Sequence, residues 1–400
     1  MLYNSLVELV ISAGVIGTHE HLVYDGDEWR WSNIVPPGCL LWGFDHHRDL
    51  REAAAALRID VPDFKNTSWG KAQMYVQDDL SDVKWRFCMP FLMWKSVVTE
   101  IVDQLWRHFT DESNRYYIST LLRNREIACQ LQRPIIREAT VRNYCIGASG
   151  SVRQNLEKFL PDSSGYAPRS FYSFCRTITG RMTIINGPNI LTMKKESRKI
   201  IESRYIGGKI VEIDLQSAEP RVALALFGKT IDGDVYSRVM KDVNVEISRE
   251  AAKIATLSAI YGASHHALKS RLPNGLDSIR VLEEVKDYFG VRHLESMLKE
   301  QHSENGCTFN THGRKIFSDS PSVNHLIQSS TVDISHDVFE LLIEALRDHQ
   351  IKFCPLYLIH DAILLDVDGD DLNKLRDICE KGFVSHVVKT NFPVKVKEIN

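Results

Sequence analysis

The sequence predicts an α+β fold, and three stretches of its C-terminal half predict it. In IDLQSAEPRVAL, Asp214 closes an apolar run that reads as a buried strand. In SREAAKIATLSAIYGAS, Arg249, Lys253, Leu257 and Tyr261 recur every four residues and so share one helix face. LYLIHDAILLDV is a second strand-like apolar segment, with Asp361 in its middle. Each feature alone has an ordinary reading: Asp214 as a carboxylate approaching a helix, Arg249 and Lys253 as a solvated face, Tyr261 as core. Their ordered combination points to chemistry on phosphates.

These residues resemble the motifs of the family A DNA polymerases, the bacterial DNA polymerase I type, over roughly the last 230 residues. That family's first motif runs Asp-Tyr-Ser-Gln-Ile-Glu-Leu-Arg, and here Asp214, Glu219 and Arg221 stand in register. Its second places Arg, Lys, an aromatic residue and Tyr-Gly at four-residue steps; Arg249, Lys253, Tyr261 and Gly262 match, and Leu257 replaces the aromatic. Its third, His-Asp-Glu, is His360-Asp361-Ala362. Weaker matches follow the same order in TITGRMTIINGPN, ENGCTFNTHGRKIF and NHLIQSSTVDI.

The resemblance implies a right-hand fold with palm, fingers and a reduced thumb, and an antiparallel palm sheet carrying both aspartates on adjacent strands. It divides the chain into a segment 1–90 of unassigned role (an exonuclease remnant or a docking module), a thumb-like helical region 91–175, palm 176–230, fingers 231–319 and palm 320–400. Joining a primer 3′-hydroxyl to a nucleoside triphosphate calls for paired Mg²⁺ ions, with Mn²⁺ as an alternative, about 4 Å apart. Such hard cations take carboxylate oxygens, so Asp214 and Asp361 are the expected ligands, with the Leu215 carbonyl as a third contributor where strand turns to helix.

On the fingers helix, Arg249 and Lys253 lie in the first turns, where the helix dipole favours phosphate; both are assigned to the triphosphate, and Lys253 also to protonating the leaving pyrophosphate. Leu257 and Tyr261 then face base and sugar. Base stacking on an aromatic is worth roughly 1–3 kcal/mol, so Leu257 implies weaker nucleotide binding or altered sugar discrimination. Glu219 is implied to close, with Tyr261, the space of a ribose 2′-hydroxyl, which favours DNA over RNA synthesis. Leu257-Ser258 and Ala362 lean instead towards single-subunit RNA polymerases. Arg181, Asn324, Gln328, Arg314 and a supporting His360 are implied to touch primer and template. Ala362 replaces an auxiliary carboxylate, which bears on efficiency.

Composition fits. The 400 residues are 44% hydrophobic and 25% charged, ample for packed subdomains. The net charge of −3 is reconciled with nucleic acid by local basic tracks, KKESRKIIESRYIGGK at 194–209 and the arginines through 115–153, read as phosphate contacts or a solvated helix. The eight cysteines form no CxxC pair, so neither a zinc ribbon nor a disulfide framework is indicated and a reducing interior is expected. MLYNSLVELVISAGVIG lacks a basic n-region and makes a poor signal peptide, and no apolar run is long enough to span a membrane. An intracellular protein is expected.

Residues 91–134 predict two amphipathic helices ending before Pro134. The segment 146–160 resembles the family's thumb tip, but the long helical stretch that normally follows is nearly absent. A weak grip on DNA is therefore expected, with processivity supplied by a partner, including a helicase or primase. A proofreading exonuclease needs an Asp-x-Glu pair; at Asp45 the second carboxylate is His47, and no intrinsic proofreading is expected.

Overall fold

The apolar run closing on Asp214 forms strand β1 (Lys209–Leu215), which leads through Gln216 and a left-handed Ser217 (φ 54°) into helix α1 (Ala218–Leu226). Pro220 sits in the first turn of α1, where its missing N–H costs no helical bond. Helices α2 (Val235–Asp242) and α3 (Arg249–Ile260) follow, then the long α4 (Val323–Asp348), the strands β2 (Phe353–Ile359) and β3 (Ala362–Val367), and near the end β4 (Val394–Glu398). This is a computed structural model, and it describes residues 111–174 and 176–399 with shorter upstream stretches at 9–11, 20–24, 29–34, 40–42, 68, 71–72, 90–93, 96 and 107.

The four strands form one antiparallel sheet in the order β2-β3-β1-β4. Asp214 of β1 is paired with Ala362 of β3 and with Lys395 of β4. The expectation of two adjacent antiparallel strands thus holds, with one correction. Asp361 is not within a strand: the segment LYLIHDAILLDV folds back on itself, and His360-Asp361 is the two-residue turn of the β2–β3 hairpin, with Ile359 opposite Ala362. His360 takes a positive φ of 54° to make that turn, a conformation uncommon for a residue other than glycine.

The chain divides into two compact units, Met1–Glu126 with Phe174–Arg176, and Ile127–Ser173 with Thr177–Asn400. In the first, the strands Trp29–Ser32, His21–Tyr24, Leu9–Ile11 and Leu40–Trp42 line up in that order, with only the last pair parallel. Asp45 and His47 lie outside the described residues. Helix Glu112–Gln130 ends before Pro134 as expected, while most of the expected helix upstream of it lies outside the described residues.

In the second unit, part of the span expected as a thumb packs against the four-stranded sheet. Ile136, Val141, Leu156 and Phe159 share a core with Ile210 of β1, Leu356 and Tyr357 of β2 and Leu364 of β3. A different core lies within the span expected as fingers, where Ala251, Ala252, Ala255 and Ala259 let α3 approach α2 and the helix Ser278–Tyr288 closely. Those small residues define the buried side of α3. Arg249, Lys253 and Tyr261 are on the exposed side and Leu257 is half-buried, so the four-residue periodicity marks the outward face. Ser248 caps the helix by accepting from the Ala251 N–H, and Gly262 at φ 68° ends it.

Candidate active site

Three carboxylates stand in a row on one face of the sheet, and two of them are neutralised. Side chains two residues apart on a strand share a face, so Glu212 and Asp214 of β1 lie beside Leu364 and Ala362 of β3, with Asp366 next along. Glu212, buried, pairs with the buried Arg198 and with Lys195 at 3.1 Å. Asp366 accepts from Ser203 Oγ at 2.5 Å and pairs with Arg204 at 3.1 Å. This corrects the reading of 194–209 as a solvated helix or phosphate track. Lys195–Ile200 is a 3-10 helix leading into a strand pair with Ile135–Ile136, and two arginines of the segment, Arg198 and Arg204, turn inward to the sheet.

Asp214, at the open end of the row, has no such arginine. Burial first, then the negative charges of Asp361 and Glu212, push its carboxyl up to about 6. Asp361 is also raised, chiefly by burial, against the positive charges of His360, Arg181 and Lys195. The Leu215 N–H donates to the Asp361 carbonyl at 3.1 Å, which ties the hairpin turn to the end of β1. Two half-buried carboxylates that resist ionisation together suit a divalent cation, whose charge relieves both. Among the described residues no group of three or more His, Cys, Asp or Glu side chains could hold a metal ion. The pair fits Mg²⁺, which commonly takes one or two carboxylates and fills its octahedron with phosphate oxygens and water.

The raised Asp214 has a consequence for stability. Its folded pKa lies above the unfolded value, so its contribution is favourable below the unfolded value of 3.8 and is lost as pH rises through about 6. In divalent-free buffer at pH 8, Asp214→Asn is expected to be more stable than wild type by on the order of 1 kcal/mol, a figure already reduced for solvent screening. The advantage should vanish below about pH 4. Urea unfolding across pH in EDTA checks this, and a pH-independent difference would count against the assignment.

A cleft lined by Arg181, Met182, Glu219, Gln328, Thr331, Val332, Ser335, His360 and Asp361 opens beside the pair. It gathers five of the sequence-predicted residues from four separate segments. Glu219, in the first turn of α1, is held at both oxygens: Arg181 Nη2 donates to Oε1 at 2.7 Å and Tyr261 Oη donates to Oε2 at 2.5 Å. Burial and that bond to Glu219 push the Tyr261 phenol up to about 12, so it stays a donor. Gln328 donates to Asn324 Oδ1 at 2.6 Å along one face of α4. His360 is exposed at the hairpin tip.

Arg314 lies elsewhere. The residue is 3% exposed and its guanidinium is spent on Asp333 of α4, with Nε to Oδ2 at 3.0 Å and Nη2 to Oδ1 at 2.7 Å. Contact with a primer or template is not open to a side chain so enclosed. On α3, Arg249 donates twice to Asp234, at 2.8 and 2.7 Å, and lies 5.6 Å from the centre of the Tyr236 ring; the Lys253 ammonium is 5.9 Å from the same ring. Hydrogen bonding to Arg249 holds the Asp234 carboxyl well below the usual range. Sequence reasoning missed both Asp234 and Tyr236. The available signal was an aspartate in helix-capping position before VYSRV, and Asp234 does cap α2 by accepting from Ser237 N. Arg221 of the first motif is buried and donates to the carbonyls of Gln216, Ile231 and Gly233, so it fixes the loop that delivers Asp234.

With this geometry in place, comparison with known proteins is informative. No family model matches the chain. Over its whole length it superposes on the POL domain of Pol1 from M. smegmatis, solved in complex with DNA primer-template and dNTP, with a TM-score of 0.58 and 14% identity, covering 99% of this chain and 95% of that one. The chain has the fold of that DNA polymerase domain. In sequence, the chain is 26% identical over 185 residues to a DNA polymerase of Mycobacterium phage L5, covering 42% of the chain. It is 25% identical over 263 residues to DNA polymerase I of Lactococcus lactis, covering 56%. The matched region spans 29% of the length of each of these two relatives.

Proposed function

We propose that the chain is a template-directed DNA polymerase that adds deoxynucleotides to a primer 3′-hydroxyl. The observation that carries this reading is that Asp361, whose carbonyl is tied to the end of β1 next to Asp214, lines a cleft together with Arg181 and Glu219, and that Glu219 also holds Tyr261. The solved complex of similar fold holds primer-template DNA and dNTP, and the same partners suit this cleft. Two Mg²⁺ ions, held by Asp214, Asp361 and the Leu215 carbonyl, would supply Lewis acidity to the attacking and departing oxygens.

The remaining roles fall to side chains. As the primer 3′-hydroxyl gives up its proton to solvent water and its oxygen bonds to the α-phosphorus, the bond to the bridging oxygen of the pyrophosphate breaks, and Lys253 gives that leaving group its proton. Arg249 binds the triphosphate, and Leu257 and Tyr261 meet the nascent pair. Glu219, fixed at both oxygens, fills the space a 2′-hydroxyl would need. Arg181, Asn324, Gln328 and His360 face primer and template. The reading includes no proofreading in this chain, and processivity is assigned to a partner such as a helicase or primase. Among the described residues no helix is long and apolar enough to cross a membrane.

Primer extension on a DNA template with Mg²⁺, supplying deoxynucleotides or ribonucleotides separately, tests the proposal. Wild type should use deoxynucleotides, and Glu219→Ala should admit ribonucleotides at least about tenfold more readily. Preferential ribonucleotide use by wild type would point to an RNA polymerase or primer-making enzyme. DNA binding without extension would leave a scaffold.

A further inference from the structure

The middle of α4 is buried yet polar, and its Asp333 has no exposed surface. Besides its two bonds from Arg314, Asp333 accepts from Asn310 Nδ2 at 2.7 Å, while Asn310 Oδ1 accepts from the Arg314 and His312 N–H groups at 2.9 Å each. The short hairpin of Thr308–Phe309 and Lys315–Ile316 is thereby fastened to α4 with the guanidinium locked in one plane. Burial opposes charge on Asp333, but the Arg314 guanidinium prevails and holds the carboxyl well below its usual range. A buried ion pair is a weak source of stability compared with apolar packing, and what it supplies well is a fixed geometry.

What rests on that plane is the turn before the cleft. Gly180 takes φ 72°, and a Cβ there would come within 2.5 Å of Arg314 Cζ, so the backbone lies directly on the guanidinium. The turn is closed by the Gly180 N–H donating to the Thr177 carbonyl at 3.0 Å and by Thr177 Oγ1 donating to the Arg181 carbonyl at 3.0 Å. The next side chain, Arg181, holds Glu219, and Glu219 holds Tyr261.

We propose that the Asp333–Arg314 pair is a positioning platform for sugar discrimination: through Gly180 it sets Arg181, and Arg181 sets the rotamer of Glu219 that excludes a 2′-hydroxyl. The platform touches no substrate, and it rests on the polymerase reading above. With the guanidinium shifted, Arg181 retreats and one carboxylate oxygen of Glu219 loses its tether.

The test is the ratio of kcat/KM for deoxynucleotide over ribonucleotide in wild type, Arg314→Lys, Gly180→Ala and Thr177→Val, with thermal melting alongside. Lysine keeps the charge but loses the planar fork, and alanine at 180 forces the turn off it. Both are expected to lower the ratio about tenfold, more than they lower deoxynucleotide kcat/KM itself. Thr177→Val loosens the same turn from its half-buried side and should lower the ratio about threefold. Folded variants that lose turnover but keep the wild-type ratio within twofold would overturn the platform. Should the two buried variants fail to fold, an unchanged ratio in Thr177→Val overturns it and a lowered one supports it. A wild type that extends no primer removes the polymerase reading and the platform with it, whereas one that extends primers with both sugars alike leaves the polymerase reading standing and removes the platform. A selective wild type with equally selective variants removes the platform alone.

Discussion

Alanine at Asp214 or at Asp361 is expected to lower single-turnover primer extension by about 10³-fold or more while leaving primer-template binding nearly intact. The size follows from how little the site has to spare. Where the family motif has a second carboxylate after Asp361 this chain has Ala362, paired directly with Asp214 across the ladder, and no third acidic group among the described residues joins the two aspartates. Glu212 is nearest along the same face, but Arg198 and Lys195 hold it. Removing either aspartate therefore removes half of the side-chain charge available to a divalent cation. Stability should move the other way, because Asp214 is a carboxylate that burial and its neighbours keep from ionising readily. A variant that is dead yet folds at least as well as wild type in EDTA is the expected pattern. Mn²⁺ in place of Mg²⁺ should not restore it. Either variant retaining more than about a tenth of wild-type extension would show that the pair is not the cation site.

How much of this was legible in the sequence depended on whether a residue's partner was local. Asp214 could be read because a short apolar run closes on it and the chain then changes to helix. The outward face of α3 could be read because the intervening alanines leave only one side for the charges. The hairpin turn at His360-Asp361 could not, since LYLIHDAILLDV contains no glycine, asparagine or proline to mark a reversal; the turn is imposed by the pairing of β2 with β3 and accepted by His360 at a positive φ. The arginines at 198 and 204 were misread for a related reason. Their partners, Glu212 and Asp366, are brought beneath them only by the sheet register, and in a linear sequence a basic run looks solvated. Arg314 follows the same pattern, because Asp333 lies nineteen residues away on another element and nothing local shows that the guanidinium is enclosed. Buried charge pairs are long-range facts, and a motif match conveys that a charge is present without conveying which way it points.

The same contrast separates the two cations of α3 and yields a second large effect. Arg249 is already engaged by a bidentate carboxylate, Asp234, whereas Lys253 forms no ion pair among the described residues and lies over the Tyr236 ring. In the proposed mechanism an arriving triphosphate would have to share Arg249 with Asp234 or displace it, exchanging one anion for another, so the expected net gain from that residue is modest and would be felt in binding. Lys253 has no such competitor, and in the proposed mechanism its proton would be wanted only as the pyrophosphate departs. Lys253→Ala should therefore lower kcat by about 10²–10³-fold with little change in KM. Arg249→Ala should raise KM by about tenfold with a smaller loss in kcat. Asp234→Asn weakens the competitor and should lower KM a few-fold, at some expense in stability, because the same carboxylate caps α2. Pre-steady-state incorporation of a single deoxynucleotide by the three variants separates the two parameters. A Lys253→Ala enzyme with normal kcat and raised KM would remove the proton-donor role and leave the lysine as a second phosphate clamp, while an unchanged KM in Asp234→Asn would mean that the carboxylate and the triphosphate do not compete for the guanidinium.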